Sequence, residues 1–178
     1  MNIAVFCGSS VPTDTRIADA AHELGRRIAE AGHTLVYGGS NLGLMGVVSG
    51  AALEAGGRVI GVIPTLFSEE IINSQRVTEL VRVASMAARK EWMLRECDAF
   101  VAFPGGIGTL DEVLEVLVAN QLKQMDKPMA LFNHAGFFAP FLQQVDVMGS
   151  NGFFRSGVRP SIIVCEDVGE LLTELNIK

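Results

Sequence analysis

The chain has 178 residues, 49% of them hydrophobic and 19% charged, with a formal net charge of −6. Those values suit a folded protein with a large core and point to one domain over residues 1–178, because the length is too short for two comfortable ones. They exclude a disordered chain and do not suggest a nucleic-acid surface, so any anion site has to be local, built from backbone N–H groups and one or two arginines.

In chain order, the apolar run Ile3–Cys7 predicts a first strand, and the segment around it lacks the basic leader of a signal peptide. A helix is predicted from Thr15, stopped at Gly32, then a strand over Thr34–Tyr37. The next helix begins near Leu44 and stops at Gly56-Gly57, and strands follow over Arg58–Ile63 and Leu80–Val83. Residues 33–53 carry no formal charge apart from His33, but their middle reads GGSNLG, which no bilayer-spanning helix favours. Ser85 can cap the following helix, Ala99–Phe103 is a strand, and another helix opens near Thr109. Met129–Phe132, a helix from Phe137, Ser161–Val164 and a helix from Val168 complete the chain. Several strand runs are apolar throughout instead of alternating, as in strands buried on both faces. The rhythm predicts an α/β fold, a doubly wound parallel sheet with helices on both faces.

In such a sheet the ligand sits beyond the carboxyl ends of the strands. Four stretches fall there: CGSS at 7–10, YGGSNLGLMG at 37–46, IPTLF at 63–67 and PGGIGT at 104–109. Two are rich in glycine and open helices, so backbone N–H groups and a helix N-terminus can cradle a phosphate there, although the same glycines also suit plain tight turns. Neither loop has the Lys-Ser/Thr of a P-loop. A dinucleotide fingerprint is disfavoured because Asp111 occupies its last small-residue position and no acidic ribose ligand follows the next strand. A mononucleotide fits better than NAD.

Thr109-Leu110-Asp111-Glu112 also reads as a capping box, so Glu112 has a purely structural reading as well as a catalytic one. Leu110, Val113, Leu114 and Leu117 form the expected sheet-facing stripe of this helix, while Val116 and Val118 extend apolar surface beyond it, toward a possible second subunit. Glu112 and Glu115 lie three apart near the loop and call for a cation. Met86, Arg89, Lys90 and Met93 share one helix face, and Arg89 between methionines is the better buried ligand, because guanidinium meets phosphate or sugar hydroxyls with a planar fork. Lys90 taken alone, Arg95 and Glu96 read as solvated surface charges. His22, His33 and His134 read as structural, and Cys7, Cys97 and Cys165, odd in number and widely spaced, signal neither a disulfide framework nor a zinc site. Cytoplasmic residence is the reading, with no metal and no cofactor called for.

PGGIGTLDE resembles the PGGxGTxxE signature of the LOG (Lonely Guy) family of cytokinin riboside 5′-monophosphate phosphoribohydrolases, whose members are often labelled lysine decarboxylases. VFCGSS, LVYGGSNLGLMG, GGRVIGVIPTLF, the RK at 89–90, CDAFVAFPGG and DKPMALFN follow in family order, densely from about Asn2 to Phe138. The resemblance implies a Rossmann-like fold without a dinucleotide, and hydrolysis of a nucleoside 5′-monophosphate to free base and ribose 5-phosphate. It implies Arg89 and Glu112 as the catalytic pair, Gly105, Gly106, Gly108 and Thr109 around the phosphate, and Gly38, Gly39, Gly43 and Met45 lining the pocket. Ser9, Lys90 and Glu115 complete the candidate ligands. A homodimer with sites near its interface is also implied, with a small-molecule nucleotide as partner and neither nucleic acid nor membrane. A broader purine or pyrimidine nucleotide nucleosidase, and a non-catalytic nucleotide or cofactor carrier of the same fold, are the alternatives. The chain departs from the family at three places: Ala87 and Ala88 stand where many members have His and Glu, Ser40 replaces the third glycine of GGG, and Thr15 or Arg16 replaces an aromatic.

Overall fold

Apolar runs with no polar alternation need cover on both faces, and the fold supplies it. The computed structural model describes residues 1–67, 77–154 and 160–177. Seven strands, β1 (Asn2–Phe6), β2 (Thr34–Tyr37), β3 (Arg58–Pro64), β4 (Glu79–Val83), β5 (Ala99–Ala102), β6 (Met129–Phe132) and β7 (Ile163–Cys165), form one sheet in the order β4-β3-β2-β1-β5-β6-β7. Every neighbouring pair is parallel, for example Ala4 opposite both Val36 and Phe100. The helices are α1 (Thr15–Glu30), α2 (Gly43–Glu54), α3 (Met86–Glu96), α4 (Ile107–Gln121), α5 (Ala139–Ser150) and α6 (Val168–Glu174).

Two cores lie on opposite faces. One joins Ile3, Val5, Leu35 and Phe103 to Leu24 and Ile28 of α1, Val48 of α2 and Leu171 of α6. The other joins Ala4, Phe6, Val36 and Phe100 to Met93 of α3, Val113, Val116 and Leu117 of α4, and Phe138, with Phe141 and Leu142 of α5 packed against it. The doubly wound expectation therefore holds. The strand order reverses between β1 and β5, so the crevice beyond their carboxyl ends is the switch point. No helix among the described residues is long and apolar enough to cross a membrane.

Most differences from the expected elements are at their ends. α4 starts at Ile107, two residues before Thr109, and α5 starts at Ala139 instead of Phe137. In the latter case the Asn133 side-chain oxygen accepts the Phe138 N–H at 2.8 Å, holding the chain in a short 3-10 turn over His134–Gly136 before the helix can begin. β7 is offset toward Cys165 relative to Ser161–Val164. One correction concerns a face. Val116 is buried and Leu114 is exposed, the reverse of the expected stripe, because the buried side of α4 runs through Thr109, Glu112, Val113, Val116 and Leu117. Ile107, Leu114, Val118 and Leu122 are left exposed along another side.

Candidate active site

Three strand-to-helix loops meet at Gly8. Its N–H donates to the Pro104 carbonyl at 3.2 Å, and its own carbonyl accepts the Leu44 N–H at 3.1 Å. The loops approach so closely that side chains would not fit. Gly43 has φ of +53°, and a Cβ there would fall on the Ser9–Ser10 backbone. A Cβ on Gly105 would meet the Thr109 hydroxyl and would lie 2.8 Å from the Gly8 nitrogen. By contrast, nothing lies within 4 Å of a Cβ built on Gly106 or Gly108, and both residues are exposed. The glycine loop is thus tied down on its inner side and open on its outer side, at the N-terminus of a 15-residue helix. The first N–H groups of such a helix have no intrahelical acceptor and carry its partial positive charge.

The capping box does not form. Gly106 is the N-cap of α4 and no side chain caps the helix. Thr109 is already inside it, with its buried hydroxyl turned toward Gly105. Glu112 is therefore free of the helix end and turns to α3, where its Oε1 accepts a hydrogen bond from Nη2 of Arg89. Both side chains are buried, at 7% exposure for Arg89 and 5% for Glu112. Ser85 caps α3, accepting the Ala88 N–H at 3.1 Å, and so sets the helical phase that points Arg89 inward. A Cβ on Gly38 would lie 3.2 Å from Nη1 of Arg89 and 3.0 Å from the Met45 sulfur, so the bare backbone just after β2 leaves the guanidinium its place. Gly39, with φ of +78°, turns the same loop over Ile63. The Nε of Arg89 is buried without a hydrogen-bond partner among the described residues. A buried donor in that condition is costly, and a ligand oxygen would satisfy it.

Burial raises the Glu112 carboxyl above its ordinary value of 4.5, against the opposing pull of Arg89. The neighbouring Asp111 charge adds to the rise and the Lys90 charge opposes it. Cys7, beneath the loop, is a buried thiol pushed far up by desolvation and by Glu112, so it is no nucleophile at neutral pH. Lys90 and Glu115, both read from sequence as substrate ligands, are placed against each other. The Lys90 ammonium lies 3.0 Å from both oxygens of Asp111 and 3.0 Å from Glu115. Ser9 is exposed on the loop that Gly43 packs against. Sequence reading missed Asp111. Its signal was the acidic i, i+4 pair Asp111–Glu115, which needs a cation from a facing helix.

The chain is 43% identical over 173 residues to the cytokinin riboside 5′-monophosphate phosphoribohydrolase LOG of Oryza sativa subsp. japonica, covering 97% of this chain and 72% of that protein. The corresponding Arabidopsis thaliana protein LOG1 is 41% identical, with 97% and 81% covered. The chain belongs to the LOG family. Residues 45–175 of this LOG-family chain also match the family model described as possible lysine decarboxylase. Among solved structures, the molybdenum cofactor carrier protein of Chlamydomonas reinhardtii aligns with a TM-score of 0.72 at 28% identity, covering 98% of this chain and 95% of that one.

The places where this LOG-family chain departs from its relatives' motifs have local explanations in part. Ser40 is buried, and its Oγ accepts the Leu42 N–H at 3.1 Å, fixing the turn into α2 with a side chain instead of a third glycine. Arg16 is paired with Asp14, the N-cap of α1, whose carboxylate also lies 2.9 Å from Nε2 of His134. Arg16 and then His134 hold that carboxyl below its ordinary range. Ala87 is exposed and Ala88 half-buried on α3, where neither can carry charge; nothing in the structure explains this exchange.

Proposed function

We propose that the chain hydrolyses the N-glycosidic bond of a nucleoside 5′-monophosphate, a cytokinin riboside 5′-monophosphate or AMP, giving free base and ribose 5-phosphate. The observation that carries this reading is the buried Arg89–Glu112 pair set one turn below an open glycine N-terminus. The phosphate sits on the outer face of Gly106 and Gly108, held by the first N–H groups of α4, with Ser9 beside it. Remote binding of the phosphate then fixes C1′ near the carboxylate, so positioning is settled before the reaction begins. As the bond to the base lengthens, the ribose gains oxocarbenium character. The Glu112 carboxylate stabilises that positive charge more than it stabilises the neutral ground state. Arg89 holds Glu112 in place and offers its remaining donors to the sugar. Water adds its oxygen to C1′ and the base leaves with a proton. Gly38, Gly39, Gly43 and Met45 line the space where the nucleoside lies.

The enzyme works as a homodimer in this reading, with Ile107, Leu114 and Val118 of α4 and its C-cap Leu122 as the apolar seam, since these residues are exposed along one side of the helix that carries Glu112. Its three buried free thiols, Cys7, Cys97 and Cys165, suit a reducing cytoplasm.

Incubation with AMP, prenylated AMP, a pyrimidine monophosphate and adenosine, followed by chromatography of the free base, tests the proposal. Base released from a monophosphate, with adenosine far poorer, is the expected result, and the ratio among the monophosphates reads base preference. Binding without release would make the chain a carrier. Equal rates on AMP and adenosine would remove the phosphate cradle from the account.

A further inference from the structure

Lys90 adjoins Arg89 on α3, but the two side chains point to different places. Consecutive helical residues are about 100° apart, so Arg89 turns inward to Glu112 while Lys90 reaches across to Asp111 and Glu115 of α4. Its side chain is 16% exposed, whereas those of Asp111 and Glu115 are 51% and 45% exposed. The three partner oxygens, all at 3.0 Å, account for the whole donor capacity of one ammonium. Within one subunit, half-exposed carboxylates make weak stabilising partners because water screens them, so the arrangement is a poor device for holding the subunit's own fold together. Its neighbour, however, is buried. Asp111 precedes Glu112 in the chain, and a charge there acts on a carboxyl enclosed by low-dielectric protein.

Resting on the hydrolytic reading above, we infer that Lys90 is a positioning residue for Glu112: by ion-pairing Asp111 and Glu115 across the seam, it offsets the negative charge beside the buried acid and keeps that acid ionised against Arg89. The groups whose charges act on Glu112 are Arg89, in contact with it, and Lys90, both from α3, and Asp111 from its own helix, with the buried Cys7 thiol just past β1 coupled to it. Lys90 stays charged throughout, since its two carboxylate partners hold the ammonium above its ordinary value even though burial favours the neutral amine. Arg89 and Lys90 favour the carboxylate, whereas Asp111 and burial favour the acid. Turnover needs the carboxylate, so activity rises with pH through the Glu112 titration. Removing the Lys90 charge leaves Arg89 alone against Asp111 and burial, and moves that rise to higher pH. Removing the Asp111 charge moves it to lower pH.

The test compares the pH dependence of base release from saturating AMP in the wild type, Lys90→Met, Lys90→Arg, Asp111→Asn and the Lys90→Met/Asp111→Asn pair. Carboxyl-carbon NMR titration of Glu112, assigned by its loss in Glu112→Gln, reads the same quantity without turnover. Lys90→Met is expected to shift the acid limb upward by about a few tenths of a pH unit, the scale of one half-screened charge, with little change in the plateau above it. Lys90→Arg keeps the wild-type limb. Asp111→Asn shifts the limb down and, added to Lys90→Met, brings it back. A purely structural clamp predicts the opposite for the pair, since both changes break the same bridge. An unmoved limb in Lys90→Met, or one that Asp111→Asn fails to restore, overturns the inference; should Lys90→Met not fold, the direction of the Asp111→Asn shift decides. A wild type that releases no base refutes the hydrolytic reading instead, and the NMR titration still decides the role of Lys90.

Discussion

Glu112→Gln separates catalysis from packing at this site. The substitution keeps the size of the side chain and one oxygen able to accept from Arg89 Nη2, but it removes the charge. A carboxylate about 4 Å from a developing positive charge is worth about 4 kcal/mol at an effective dielectric near 20, a value suited to a side chain that is 5% exposed but close to a crevice. Part of that field is already directed at Arg89, so the loss falls below this ceiling. A hundredfold drop in turnover corresponds to about 2.7 kcal/mol and is the expected minimum. The cost to the fold is separate. Deleting one partner of a buried ion pair outright costs about 3–5 kcal/mol, and the retained amide oxygen keeps glutamine toward or below the lower end. A domain of ordinary stability, about 5–15 kcal/mol, survives that. The assay is adenine release from saturating AMP, with circular dichroism and a thermal melt on the same preparation. A folded Glu112→Gln protein with near-normal turnover would refute the role of the carboxylate and, with it, the mechanism.

Gly108→Ala places a methyl group into open space at the second residue of α4. Alanine is the better helix former, so the melting temperature should rise by about 1–4 °C while KM for AMP rises by about tenfold; an unchanged KM would show that the phosphate does not rest there. Val118→Asp changes a residue that is 50% exposed, so the fold should persist, but the α4 seam should open and light scattering should report a monomer. A variant as dimeric as the wild type would move the interface elsewhere.

The doubly wound fold was readable from the chain because its determinants are local. Runs such as Ala99–Ala102 and Met129–Phe132 are apolar at every position, which only double-sided burial rewards, and Gly32 and Gly56 end their helices with the positive φ that favours glycine. The two glycine loops and the cation on α3 were likewise visible as residue types at fixed spacing. What the chain left ambiguous was Glu112, since Thr109-x-x-Glu112 serves equally as a helix cap. Only the tertiary structure shows that the cap does not form. α4 starts two residues earlier than its sequence suggests because Gly106, tied through Gly105 and Gly8 to β1, takes the cap position. Thr109 then falls inside the helix and Glu112 turns to Arg89, 23 residues away in sequence. The pairings of Lys90 with Asp111 and Glu115, and the burial of Val116 in place of Leu114, also depend on the rotation of α4 about its axis against the sheet. Sequence sets which residues can bury and which backbone can turn, whereas the phase of a helix is decided by what it packs on. The meeting of an acid, an arginine and a glycine loop from three elements is a property of that packing.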